Sequence, residues 1–259
     1  MPHRCLPLVL FTALVVPAFS QTAFGPVADQ IRTEPLALPA EASVVVLTPD
    51  DPDTPRQSYT LKRTFASDGS FTVDWKSSRL TSHESFRPDG TLGQSRQTDL
   101  LKGLTVEQRT DDTRTSLQTV VSEKGLVRSD KKAELSSGVV LRDEVAHLVA
   151  QAWLYGIRDG LVVRSISPDG GMTGDFLIEF RSVNDPTSVS QKYTYPAEFK
   201  DALSLRTSYL VADMSLQGIG SLFVPYHFYL VYEVTPAGLD WRAYFGEDPK
   251  KPVFRFLKR

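Results

Sequence analysis

A single cysteine, Cys5, is present in 259 residues, and it precedes the first hydrophobic run. Everything after it is thiol-free, which excludes disulfides, thiolate metal centres and cysteine nucleophiles together. Neither sign of charge is in surplus, with 29 Lys and Arg against 31 Asp and Glu. That balance excludes nucleic acid as the main partner, because phosphate binding draws on an excess of cations. Beyond the N-terminal run no stretch reaches the roughly 20 apolar residues of a membrane-spanning helix, so no transmembrane segment is expected in the rest of the chain.

Catalytic and metal-binding patterns are missing as well. His83, His147 and His227 stand more than 60 residues apart, and neither H-x-H nor H-E-x-x-H occurs. Gly218-Ile219-Gly220-Ser221-Leu222 lacks the frame of G-x-S-x-G and has no following lysine for a phosphate cradle. Carboxylates paired only by the fold are the one hydrolytic arrangement that spacing leaves open. The expectation is a non-enzymatic protein with no cofactor, no metal and no catalytic residue.

The opening residues carry the clearest signal that is present. His3 and Arg4 lead into an apolar run from Leu6 to Phe19, and Ala18 and Ser20 occupy the A-x-A positions. This is the pattern of a signal peptide over 1–20 with cleavage between Ser20 and Gln21, and the expected location is periplasmic or secreted. Lipidation would need a cysteine where Gln21 stands. Disulfide-free export suits a bacterial periplasm.

Residues 21–58 are rich in Pro, Ala and acidic side chains and read as a linker or surface arm, with a short extended run at Ser43 to Leu47. Asp50, Asp51 and Asp53 lack the glycine and distal Glu of an EF-hand, so they read as a solvated acidic loop.

From Tyr59 the period becomes two. Phe71, Val73 and Trp75 alternate with Thr72, Asp74 and Lys76, as in a half-buried strand. Ser67-Asp68-Gly69, Pro88-Asp89-Gly90 and Pro168-Asp169-Gly170-Gly171 supply turns. Residues 81–135 are Thr-, Ser- and Arg-rich strands, as expected with one face in water.

Helical spacing marks 141–158, where Val145, Leu148, Val149, Ala152 and Trp153 oppose a polar side of Glu144, His147, Gln151 and Arg158, with Gly160 as terminator. Further strands are expected at 161–167, 175–183, 191–195, 205–215, 225–234, 239–245 and 253–257, with a short helix at 196–203. Both faces of 225–234 are apolar, which predicts a central, doubly covered strand. The fold class is therefore mostly β (α+β). One domain over 59–259 is expected, a single curved antiparallel sheet or half-barrel with one main helix packed on or inside it.

The surplus of aromatics gives the candidate site. Phe71, Val73, Trp75, Tyr226, Phe228, Tyr232, Trp241, Phe245, Phe254 and Phe256 are assigned to one curved face, closed by Leu148 and Ala152 of the helix. Such a face is either core or the lining for a lipid or acyl chain. The alternative is an envelope scaffold with a solid core, touching a protein partner through the polar strands of 81–135.

The segments VVLRDEVAHLVAQAWLYGIRDG (139–160), VPYHFYLVYEV (224–234) and WRAYFGEDPKKPVFRFLKR (241–259), in that order after long polar hairpins, resemble a bacterial envelope family, domain of unknown function 3108. In architecture that family is similar to the half-barrel lipoprotein and lipid carriers of the LolA and LolB type. The resemblance covers roughly 58–259. It implies an antiparallel sheet wrapped around a helical plug and an apolar ligand or lipoprotein partner, and it carries no catalytic residue.

Overall fold

Period-two alternation becomes one sheet of fifteen strands. The computed structural model describes residues 40–51, 55–135, 138–141, 144–158, 160–166, 173–203, 208–218, 227–236, 238–248 and 251–258. The leader at 1–20, residues 21–39, the 168–171 turn, residues 219–222 and Tyr226 lie outside them.

A first meander runs through β1 (Glu41–Leu47), β2 (Arg56–Phe65), β3 (Phe71–Lys76), β4 (Leu80–Phe86), β5 (Leu92–Asp99), β6 (Leu104–Thr110), β7 (Ser116–Glu123) and β8 (Leu126–Glu134). A second runs through β9 (Val139–Leu141), β10 (Leu161–Ile166), β11 (Thr173–Val183), β12 (Tyr209–Leu216), β13 (His227–Thr235), β14 (Gly238–Asp248) and β15 (Lys251–Leu257). Among the described residues two α-helices interrupt the second meander, α1 (Val145–Leu154) after β9 and α2 (Ala197–Leu203) after β11.

Pairing of β1 with β15, Val45 opposite Phe256, joins the meanders into a sheet whose edges are β8 and β9. The sheet is open and curved, and its curvature follows from connectivity. Edge strands β8 and β9 are consecutive in the chain, and five peptide steps from Glu134 to Val139 span less than about 18 Å. A flat sheet of fifteen strands spaced at about 4.8 Å would hold its edges several times farther apart. The sheet must therefore curl until its edges approach. The β9–β10 pair is parallel, a pairing that needs a crossover, and α1 is that crossover.

β1 sits in the middle of the order, so the β-rich domain reaches at least to Glu41, and 41–47 is not part of an arm. Residues 191–195 are not a strand either. Tyr193 and Tyr195 leave the sheet to pack on aromatic rings of its outer face. The turns at Gly69 and Gly90 form as expected, with φ of +86° and +77°. In each, an Asp carboxylate accepts the backbone N–H two residues on, Asp68 from Ser70 and Asp89 from Thr91.

α1 is shorter than its periodicity suggested, and Gly156 ends it. Gly156 has a φ of +90°, its N–H donates to the Trp153 carbonyl at 3.0 Å, and the Ile157 N–H donates to the Ala152 carbonyl at 3.1 Å. This is the Schellman pattern, which needs a residue free to adopt positive φ. Gly160 instead opens β10, where a Cβ would stand 2.7 Å from the Ile178 carbonyl oxygen. Arg158, beyond the helix, stacks 3.8 Å over the Trp153 ring and donates to the Trp153 carbonyl.

Two cores lie on opposite faces. The inner one packs α1 against both meanders, from Leu61, Phe71, Phe86 and Leu117 to Ile178, Leu210, Tyr232 and Trp241. The outer one lies under α2 and gathers Phe199, Tyr209, Tyr229, Phe245, Phe254 and Phe256. β13 contributes to both, Leu230 and Tyr232 inward and Tyr229 and Val231 outward, as its two apolar faces required. Phe245, Phe254 and Phe256 thus stand on the face opposite the one assigned from sequence. For Phe245 the reason is a β-bulge. Tyr232 pairs with Trp241 and Val231 with Ala243, which leaves Arg242 as an extra residue and inverts the alternation beyond it.

Candidate functional site

The helix has no solvated polar side. Glu144, His147 and Gln151 are as buried as Leu148 and Val149, because the curled sheet meets that side of α1 as well. Glu144 is the anchor. Its carboxylate accepts the backbone N–H of Leu92 at 2.7 Å and of Leu141 at 2.8 Å, and it pairs with Arg114. Burial pushes the carboxyl up from its ordinary range, and Arg114 and the two amides pull against that.

His147 lies edge-on to Phe71 and Phe86, with ring centroids at 5.6 and 4.9 Å. Burial, aided by the positive charge of Arg63, pushes its pKa down to about 4. The imidazole is neutral in the folded state and charges in the unfolded chain near its ordinary 6.5. Between those values the unfolded state binds more protons, so stability is retained above pH 6.5 and falls as pH drops towards 4. The expected loss is about 3 kcal/mol. Glu144, with its value raised, takes up a proton first in the folded state and offsets part of that slope. Urea denaturation across this range, comparing the protein with His147→Leu, isolates the imidazole. The variant should lose most of the downward slope, and an unchanged slope would refute the assignment.

Of the residues assigned to a lining, Phe71, Val73, Leu148, Ala152, Tyr232 and Trp241 come together around α1 and are buried. Trp75 and Phe228 join the same face but stay partly exposed. Phe245 is on the other side and fully buried, and Tyr226 lies outside the described residues.

Beyond the helix the inner face changes character. Trp75, Tyr244, Phe228 and Phe176, from β3, β14, β13 and β11, are all only partly buried. Phe228 bridges Tyr244 and Phe176, with centroids at 5.9 and 6.1 Å. Arg255 completes the strip, its guanidinium 5.6 Å from the Trp75 ring and 6.0 Å from the Tyr244 ring. Its Nε is buried with no hydrogen-bond acceptor among the described residues. Tyr244, Phe176 and Arg255 were not singled out from sequence. Alternation within β15 placed Arg255 opposite in phase to Phe254 and Phe256, and that was the available signal.

Beyond β1, whose Val45 and Leu47 join the outer core, the outer face of the first meander is polar and uncovered by the described residues. Register aligns Lys62, Asp74, His83, Arg96 and Glu107 in one row across five strands. His83 and Asp74 pair at 2.7 Å, and Arg96 and Glu107 at 3.2 Å. A groove of about 1140 Å³ runs along this row, bordered also by Lys76 and Lys258. Among the described residues no three His, Cys, Asp or Glu converge to hold a metal ion, and no helix is long and apolar enough to cross a membrane. Comparison with known proteins gives no matching family model, no matching curated protein and no matching solved structure.

Proposed function

We propose that the protein is a non-enzymatic, exported binder of an amphiphile, held on the inner face of a half-barrel whose other part is plugged by α1. The observation that carries this reading is the contrast within one face. Around α1 the side chains fill the interior, whereas the Trp75–Arg255–Tyr244–Phe228–Phe176 strip keeps aromatic surface partly exposed. Aromatic walls with few convergent polar groups are the usual make-up of a site for an apolar molecule. Arg255 adds a guanidinium whose planar fork of donors suits a carboxylate or phosphate head. A fatty acid or a lipoprotein acyl chain is thus a better match than a neutral hydrocarbon.

Displacement of a fluorescent naphthylamine probe by palmitate tests the reading. Binding should weaken about tenfold in Arg255→Gln, which removes one charge-assisted hydrogen bond. Phe228→Ala should weaken both probe and palmitate. If the protein takes up neither, the reading fails.

The polar groove over β1–β5 favours a second reading, a scaffold that meets an envelope protein through its charged outer row. That reading requires Arg96→Glu to abolish partner capture while leaving probe binding intact.

A further inference from the structure

The far rim of the first meander is apolar where a polar sheet would be expected to end in polar turns. Leu100 and Leu101, in the turn between β5 and β6, and Leu126 and Val127, at the start of β8, are between 50% and 74% exposed. The two turns are one structure. The Lys124 N–H donates to the Gly103 carbonyl at 2.7 Å, and the Leu100 N–H donates to the Arg79 carbonyl of the neighbouring turn at 2.7 Å.

Asp99 makes the first turn rigid by accepting the N–H groups of Leu101 and Lys102, both at 3.0 Å. Among the described residues nothing shields the four aliphatic side chains. Their solvation cost is kept by a rigid tip at the end of β5 opposite Leu92, the residue that Glu144 holds. Along the strand the tip is roughly 23 Å from that anchor, at about 3.3 Å per residue.

Charge identifies what the tip meets. Arg79, Lys102, Lys124 and Arg128 surround it, against two carboxylates. Asp99 is held by the turn and Arg79, and Glu123 pairs with Arg128 at 3.1 Å. Exposed aliphatics ringed by lysine and arginine fit the boundary of an anionic bilayer, where acyl chains take the leucines and headgroups take the cations. A neutral apolar partner would gain nothing from the cations.

We propose that the 99–104 and 123–128 hairpin ends form a tip that inserts into the surface of an anionic membrane. This does not rest on the amphiphile reading, since the tip shares no residue with the aromatic strip. Register nevertheless puts both at one end of the strands. Tyr59 and Leu80 lie towards the tip on β2 and β4, and Arg255 lies opposite Val46, which pairs with Gln57 still farther that way. A docked tip therefore turns that strip towards the bilayer.

Flotation with vesicles of phosphatidylethanolamine and phosphatidylglycerol tests the proposal, with phosphatidylcholine vesicles as the uncharged comparison. The protein should float with the anionic vesicles and only weakly with the neutral ones. Leu101→Ser with Leu126→Ser should lower the partition at least about tenfold. Lys102→Gln and Lys124→Gln should each cost roughly fivefold, on anionic vesicles alone. All these side chains are exposed, so thermal midpoints should stay unchanged. Arg255→Gln should float normally, which separates this failure mode from that of the amphiphile reading. The proposal is overturned if the protein does not float with anionic vesicles, or if the double leucine variant floats as well as the parent. It is equally overturned if sedimentation shows the tip buried between two copies of the chain and vesicles do not compete.

Discussion

Glu144→Ala is expected to destabilise the fold by about 3–5 kcal/mol, the range for removing one partner of a buried, hydrogen-bonded charge pair. The carboxylate satisfies three donors from three places, the N–H of Leu92 at the start of β5, the N–H of Leu141 at the end of β9, and Arg114 in the β6–β7 turn. Alanine leaves the two buried amides without an acceptor, each at a cost on the order of 1–3 kcal/mol, and strips the partly exposed Arg114 of its carboxylate. It also detaches the helix from the first meander at its N-terminal end. Glu144→Gln should lose less, about 2–3 kcal/mol, because one amide oxygen still accepts while its NH₂ faces a donor. Urea denaturation followed by circular dichroism measures both. A loss below about 1 kcal/mol for the alanine variant would mean that the site is open to water and that Glu144 does not anchor the plug.

Phe245→Ala should cost a similar amount, about 3–5 kcal/mol, as expected for a phenylalanine emptied from a close-packed core. Its ring stacks on Tyr229 with centroids 4.6 Å apart and meets Tyr195 and Phe199 edge-on at 5.3 and 5.6 Å. α2 covers the cluster and is pinned at its start by Glu198, which accepts from Arg56 at 2.8 and 3.2 Å. Nothing there relaxes easily to fill the space. Phe228→Ala provides the contrast. That ring is partly exposed on the inner strip, so its loss should cost only about 1–2 kcal/mol. It should weaken probe binding, whereas Phe245→Ala should leave binding per folded molecule unchanged. The reverse outcome would return Phe245 to a ligand lining and remove Phe228 from it.

How far the sequence could be read depended on whether a feature was local. Strand β3 was legible from Phe71, Val73 and Trp75 because alternation needs only neighbours. The turns at Asp68-Gly69 and Asp89-Gly90 were legible because Gly tolerates positive φ and Asp accepts the amide two residues on. α1 was legible as a helix packed on or inside the sheet, but the burial of its polar residues was not legible. Its polar residues mark a side of the helix, and only the curl of the sheet decides whether water or another strand meets that side. β1 was legible as a short extended run at Ser43 to Leu47 but not as the centre of the sheet, since that role comes from pairing with Phe254 and Phe256, some two hundred positions away.

By itself, then, the sequence determined a mostly β chain with one substantial helix, hairpins at defined turns, a polar first meander and a doubly apolar β13. These follow from side-chain period and turn chemistry, which act over a few residues. Tertiary structure alone decided which face is inside. Alternation sorts residues into two sets without saying which set meets the helix, and one bulged residue, Arg242, exchanges the sets along β14. It also decided that the edges approach, that Glu144 and His147 are buried, and that Arg255 lies among half-open aromatic rings. Each of these depends on strand partners far apart in the chain, where period and turn chemistry have no reach.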